Sequence, residues 1–123
     1  MLKQKFVTDF FDAVEVDKAI TRGELDVASG TLIMKDLLEY VRKDIETLNQ
    51  EAKLELDEAI KKLNETCSKR KDKIKQIYPQ PENTMDERWL KMKLLKEDHK
   101  RYRQELFFIQ DMGYNKGWFE SEK

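Results

Sequence analysis

The chain has 123 residues, of which 40% are charged and 39% hydrophobic, with 4 Gly, 2 Pro, one Cys and one His. This length predicts one domain, and the composition argues against both a disordered chain and a loop-rich β protein. A single Cys and a single His exclude an intrachain disulfide framework, a multi-Cys zinc site and a His-rich metal site. The longest apolar run, Leu106 to Ile109, spans four residues, and no apolar signal segment lies at the N-terminus. We therefore expect a cytoplasmic protein without a membrane span.

The first predicted helix covers about residues 2–22. Its apolar residues recur every three or four positions, so that Phe6, Phe10 and Ala13 share one face. Gly23 is expected to end this helix, because glycine accepts the left-handed conformation that follows many helices.

The second predicted helix is the longest, at about residues 30–78. An apolar stripe runs from Met34 to Ile77 with a mean step of about 3.6 residues, which favours a long and nearly straight helix over a strict heptad coil. Two starting points are open, one near residue 24 and one near residue 30 after a break at Gly30, and the second is favoured. Two prolines just beyond residue 78 are expected to end the helix.

The third predicted helix covers about residues 85–112. Thr84 and Glu87 have the spacing of a capping box at its start, and Gly113 is the expected stop. Residues 113–123 form an aromatic C-terminal tail, for which we expect short irregular structure.

These segments predict an all-α fold, a single helical domain over residues 1–123. The second and third helices would form a long antiparallel hairpin, coiled-coil-like in outline, with the shorter N-terminal helix packed along it. Helix lengths at about 1.5 Å per residue then bring Trp118 close to Phe6. Such a monomer is two helices thick, and its wide apolar faces favour a homodimeric helical bundle. The alternative is that the second helix breaks and the monomer closes into a compact bundle.

The charge is segregated along the sequence. Residues 1–60 contain 8 basic and 14 acidic side chains (net −6), residues 61–103 contain 14 and 7 (net +7), and residues 104–123 contain 2 and 4 (net −2). The basic segment is a candidate surface for an anionic partner. Its candidate residues are Lys69, Arg70, Lys71, Lys73, Lys75, Arg88, Lys91, Lys93, Lys96, Lys100, Arg101 and Arg103.

Evidence for catalysis is weak. Carboxylates such as Asp9 and Asp12 share a helix face, which a metal-dependent helical hydrolase would need, but 25 acidic residues produce such pairs by chance. His99 and Cys67 lie on apolar stripes, so we expect a half-buried histidine bonded to a neighbour and a buried cysteine. We therefore predict no catalytic, cofactor-binding or metal-binding residue, and expect Trp89 to lie in the core.

The favoured function is a non-catalytic interaction or regulatory module that docks on a partner protein or complex. The alternative is a nucleic-acid-binding protein that uses the basic arms in residues 61–103. Tyr114, Trp118 and Phe119 are candidate partner anchors, since aromatic side chains dominate interface hot spots. These three residues have a second interpretation, in which they fold back and cover an edge of the bundle.

Overall fold

Four helices account for most of the described residues, 2–77 and 84–119, of the computed structural model. They are α1 (Leu2–Thr21), α2 (Val27–Leu48), α3 (Gln50–Ile77) and α4 (Thr84–Asn115). The described residues contain no strand, and the all-α prediction is confirmed. In this part of the chain, no helix combines the length and the apolar character needed to cross a bilayer.

The turn after α1 has the predicted glycine stop. Gly23 adopts a φ of 77°, and its N–H donates to the Ile20 carbonyl oxygen at 3.1 Å. The Glu24 N–H donates to the Ala19 carbonyl oxygen at 2.9 Å. These two bonds define a Schellman motif, which satisfies carbonyl groups at the helix end and turns the chain back.

The expected start of the second helix near residue 30 is wrong. The helix begins at Val27, because the Asp26 carboxylate accepts a hydrogen bond from the Ser29 N–H at 3.2 Å and so caps it. Gly30 is buried inside α2, where a Cβ atom would overlap the side chain of Ile20. The glycine therefore allows α1 and α2 to approach closely and does not break the helix.

The single helix predicted over residues 30–78 is also wrong, because the chain turns sharply at Asn49. This residue is extended (φ −163°, ψ 111°), and its N–H donates to the Ile45 carbonyl oxygen at 2.8 Å. Its Oδ1 accepts from the Ala52 N–H at 3.1 Å, so one residue ends α2 and caps α3. Since the corner occupies one residue, the apolar spacing continues across it without a gap.

The corner closes the monomer into a bundle, as the alternative interpretation required. Helices α1 and α2 are antiparallel, with Lys5 beside Asp44. Helix α4 is antiparallel to α1, since Trp118 contacts Phe6 with 5.2 Å between ring centroids, as predicted from the helix lengths.

Helix α3 is antiparallel to α4. The Arg101 guanidinium donates to Asn64 Oδ1 at 2.7 Å, and Cys67 lies beside the Glu97 carbonyl. The described helices thus alternate in direction as a four-helix bundle, which contains the predicted hairpin in its α3–α4 half.

The core of the bundle does not extend along the whole hairpin. Its largest fully buried apolar side chains are Phe6, Met34, Leu38, Ile45, Leu56, Ile109 and Val41. Within residues 68–77 and 87–97 no described side chain is fully buried. These two segments, called the basic arm below, lie outside the core and present most of their basic residues to solvent.

Candidate docking face on helix α4

One side of α4 presents a continuous row of solvent-facing residues. Their spacing alternates between three and four residues up to position 107, and position 114 follows two turns later, so all fall on one helix face. The row, called the docking face below, comprises Trp89, Lys93, Lys96, Lys100, Arg103, Phe107 and Tyr114. At about 1.5 Å per residue the row is about 38 Å long, with aromatic side chains at both ends and four cations between them.

Two acidic residues of α4, Asp98 and Glu105, bind other helices, whereas the exposed Asp111 lies on the same side of the helix as the docking face, between Phe107 and Tyr114. The Asp98 carboxylate accepts from Lys71 of α3 at 2.9 Å, and Glu105 is bonded to Arg42 of α2. Internal packing uses the charges of Asp98 and Glu105. Of the four cations on the docking face, Arg103 is itself 3.5 Å from Asp17 Oδ2 of α1, so Lys93, Lys96 and Lys100 are the ones without an ion pair among the described residues.

Two of the four cations lie against aromatic rings. The Lys93 ammonium is 5.1 Å from the centroid of the Trp89 ring, and the Arg103 guanidinium is 5.7 Å from that of Phe107. These are distances at which cation–π attraction operates. Lys96 and Lys100 are exposed and have no ion pair among the described residues, so they carry charge available to a partner.

The C-terminal part of the docking face forms one wall of a groove between α1 and α4, called the aromatic groove below. The groove has a volume of about 340 Å³, and Phe11 and Val14 of α1 face Phe107 and Tyr114 across it. Phe11, Phe107 and Tyr114 are 48%, 54% and 63% exposed. Aromatic rings this exposed are typical of surfaces that contact other molecules.

Most of the predicted basic residues are exposed. Besides the four on the docking face, the exposed set comprises Lys69, Lys73, Lys75, Arg88 and Lys91. Arg70 and Lys71 are half-buried. Burial opposes the charge of Lys71, but the hydrogen bond to Asp98 raises its pKa, so this lysine is a charged internal partner.

Arg101 does not belong to the predicted surface. It is 6% exposed, donates through Nε to Asn64 at 2.7 Å and through Nη1 to Glu105. The buried Glu105 carboxylate, four residues along the same helix, compensates its charge and draws it into the bundle.

Two of the three predicted anchors are turned inward. Helix α4 continues past Gly113 to Asn115, and Gly117 (φ 73°) reverses the chain so that the Trp118 N–H donates to the Gly113 carbonyl oxygen at 2.8 Å. Trp118 is buried, and Phe119 packs against aromatic rings of α1. For the described residues, the predicted helix stop at Gly113 and the predicted irregular tail are therefore both wrong: the helix continues to Asn115, and a turn follows it.

Tyr114 remains the exposed member of the three anchors. The interpretation in which the tail folds back over an edge of the bundle is therefore the correct one for Trp118 and Phe119. Residues 120–123 and the prolines after residue 78 lie outside the described residues, as does the side chain of Thr84 in the predicted capping box.

Trp89 is a predicted core residue that the structure places at the surface. It was expected in the core, yet it is 46% exposed. Its apolar spacing continues that of the buried part of α4, but it lies in residues 87–97, where no side chain is fully buried. A ring in this position can contact a partner.

The single histidine and the single cysteine have the structural roles that were expected. His99 Nε2 lies 2.7 Å from Asp17 Oδ1, and the imidazole is half-buried. Cys67 is buried, and desolvation together with the Asp98 carboxylate raises the pKa of its thiol, which keeps it in the less nucleophilic form. Among the described residues, no three His, Cys, Asp or Glu side chains converge as metal ligands.

A pair of carboxylates lies between α1 and α2. The Lys5 ammonium is 2.8 Å from Asp9 Oδ2 and 2.9 Å from Asp44 Oδ1. Burial and the neighbouring Asp9 raise the pKa of Asp44 to about 6. Burial also opposes the charge of Asp9, but its interactions with Asp44 and Lys5 lower its pKa. Asp44 is thus the member of the pair that holds a proton in mildly acidic solution.

Comparisons of the chain with protein-family models, with curated proteins and with solved structures find no match.

Proposed function

We propose that this protein is a non-catalytic interaction or regulatory module that docks on a partner protein through the docking face of α4. The observation that supports the proposal is the row of four cations between exposed aromatic residues on one helix face. The partner segment that best complements this face is an acidic amphipathic helix, whose carboxylates meet the lysines and whose apolar side chains meet the rings.

The shape of the face favours a protein over a nucleic acid. The four cations lie within about 15 Å along the helix axis, a short patch flanked by the aromatic residue types that dominate protein interfaces. Residues 1–60, which contain α1, α2 and the start of α3, carry a net charge of −6. An extended phosphate backbone would be repelled where it passes this acidic segment, whereas a helix that matches the patch in length would not extend that far.

Nucleic-acid binding is the second candidate, and one observation favours it. The exposed Trp89 ring lies beside Lys93 at the end of the basic arm, in the arrangement that stacks a base while a cation contacts the adjoining phosphate. The basic arm adds Lys69, Lys73 and Arg88 on neighbouring turns. Binding of this kind would weaken steeply with salt.

A homodimer is also proposed, but the argument for it is now the exposed aromatic groove and not the need to bury wide apolar helix faces. The monomer is not two helices thick around its core, so association is not needed to bury Phe6 or Leu38. The surface left for a second copy is the aromatic groove, where Phe11 and Phe107 face solvent.

A fluorescence-anisotropy titration tests the docking function. The labelled probes are an amphipathic helical peptide with Glu on one face and Leu on the opposite face, a single-stranded oligonucleotide and a double-stranded oligonucleotide. Each is titrated at low and at near-physiological salt. We expect the peptide to bind, and the paired change Lys96→Glu and Lys100→Glu to abolish binding. The matched control reverses two exposed lysines of α3, Lys61→Glu and Lys62→Glu, and should retain it.

The titration separates the two candidates. Loss of peptide binding in both double variants would mean that overall charge, rather than the docking face, attracts the peptide. Tight binding of the oligonucleotides with a steep salt dependence, and none of the peptide, would replace the protein partner by a nucleic acid.

A further inference from the structure

A second cavity lies where α2, α3 and α4 meet, on the side of α4 opposite the docking face. It has a volume of about 450 Å³, within the range of small-molecule sites. Five of its lining residues are cations and two are acids, contributed by three helices. Because residues as distant in sequence as Lys35 and Arg101 meet here, the charge pattern of the sequence did not indicate the site.

The floor of this cationic cavity holds two guanidinium groups on one carboxylate. Arg42 donates from Nε to Glu105 Oε2 at 2.8 Å and from Nη2 to Oε1 at 2.7 Å. Arg101 donates from Nη1 to the same Oε1 and from Nε to Asn64. Glu105 is fully buried and Arg101 nearly so. One buried carboxylate thus faces two guanidinium groups, with the exposed Glu39 as a further acid that acts on Arg42. A partly buried excess of positive charge is costly unless an anion compensates it.

The rim of the cavity adds positive charge. Lys35 of α2 and Lys75 of α3 are exposed and have no ion pair among the described residues. Lys71 is bonded to Asp98, and Asp72 is the second acid on the rim. When these acids are counted, the net charge of the floor and the rim together is still positive.

We propose that the cationic cavity binds a phosphate-bearing small molecule of about the size of a nucleotide. The two arginines are held in fixed orientations by Glu105, and neither Arg42 Nη1 nor Arg101 Nη2 has a hydrogen bond to a described residue. Such preoriented N–H donors match the oxygens of a phosphate group. The half-buried Tyr102 ring forms a wall that an aromatic base can contact.

Isothermal titration calorimetry with ADP and with inorganic pyrophosphate tests this site. We expect both probes to bind the wild-type protein, and the double variant Lys35→Gln with Lys75→Gln to weaken the affinity at least about tenfold, since two charged contacts are lost. Both lysines are exposed, so the melting temperature should stay unchanged. The matched control, Lys96→Gln with Lys100→Gln on the docking face, should bind as the wild type does.

Amide chemical shifts locate the bound probe. With ADP, the largest shifts should fall at Lys35, Asn64 and Ser68 around the cavity. Absence of heat and of shifts at millimolar probe would overturn the proposal, as would an equal loss of affinity in the two double variants. Tighter binding of ADP than of pyrophosphate supports contact of the base with Tyr102, and equal binding supports recognition of phosphate alone. The acidic peptide should still bind the Lys35 and Lys75 variant, which keeps this test separate from that of the docking function.

Discussion

At the level of single residues, Glu105 is the most deeply buried charged side chain among the described residues. Its carboxylate is fully buried between Arg42 and Arg101 and binds both of them. Replacing Glu105 by Ala would leave the nearly buried Arg101 guanidinium without its carboxylate and remove both charged hydrogen bonds of Arg42. We therefore expect Glu105→Ala to lower the free energy of unfolding by about 3–5 kcal/mol, measured by urea denaturation with circular dichroism.

An exposed glutamate provides the comparison for this variant. Glu58→Ala on α3 should change the free energy of unfolding by less than about 0.5 kcal/mol, since its side chain faces solvent. If Glu105→Ala were as mild as Glu58→Ala, the buried cluster would not stabilise the fold and the charge excess in the cationic cavity would lose its structural basis.

Asp44 makes stability depend on pH. Its pKa is raised from 3.8 to about 6, so between these values the folded state keeps a proton that the unfolded chain has released. Its contribution to stability therefore falls as the pH rises from about 4 to about 6. Asp44→Asn cannot ionise, so its free energy of unfolding relative to the wild type should increase across this window and then level off.

Urea unfolding at half-unit steps from pH 4 to pH 7 measures this difference. The attraction of Lys5 for ionised Asp44 already contributes to the pKa of about 6, so it adds no separate pH dependence. The exposed carboxylate of Asp57 gives the control, Asp57→Asn. A difference curve for Asp44→Asn that is flat or falls with pH would contradict the raised pKa.

At the level of helices, the end of α4 determines where the aromatic tail lies. Gly117 has a φ of 73°, a conformation that costs other residues about 1–2 kcal/mol. Gly117→Ala should therefore destabilise the turn and release Trp118 from its contact with Phe6.

Tryptophan fluorescence reports this release. The chain has two tryptophans, so the measurement uses a Trp89→Phe background in which Trp118 is the single emitter. We expect a red-shifted emission and easier quenching by iodide in Gly117→Ala. Unchanged emission would show that the packing of Trp118 and Phe119 is strong enough to hold the turn without glycine.

The helices themselves could be predicted from the sequence, and the corner between α2 and α3 could not. The periodicity of α1, the glycine at residue 23 and the position of Trp118 followed from spacing and helix length. Asn49 interrupts the backbone for a single residue, so the apolar stripe passes through it unchanged. The available signal was the cap itself, an Asn with a side chain that can accept from the N–H three residues later.

The docking face was predicted in part, for a similar reason. The basic segment was evident from composition, but composition does not say which side of α4 faces solvent. Arg101 is buried because Glu105 and Asn64 bind it, and Trp89 is exposed because it lies in a part of α4 that the core does not include. Both outcomes depend on tertiary contacts that helical periodicity does not contain.

At the level of the whole molecule, two different surfaces could hold two copies of the chain together: the oppositely charged segments, or the aromatic groove. Pairing of the acidic segment with the basic segment of another copy is electrostatic and should weaken as salt rises. Association through Phe11 and Phe107 buries apolar surface and should persist at high salt.

Sedimentation equilibrium at low and high salt, over a range of protein concentration, distinguishes these accounts. If a dimer forms through the aromatic groove, Phe107→Ser should convert it to a monomer at both salt concentrations. Leu54→Ser, at a leucine of α3 that is 66% exposed and outside the groove, should leave the dimer intact. If the Phe107→Ser variant still dimerises at low salt and dissociates at high salt, the interface lies between the acidic and the basic segments. A wild-type monomer throughout would make the homodimer prediction wrong, because the corner at Asn49 already lets one chain bury the apolar faces from which that prediction was drawn.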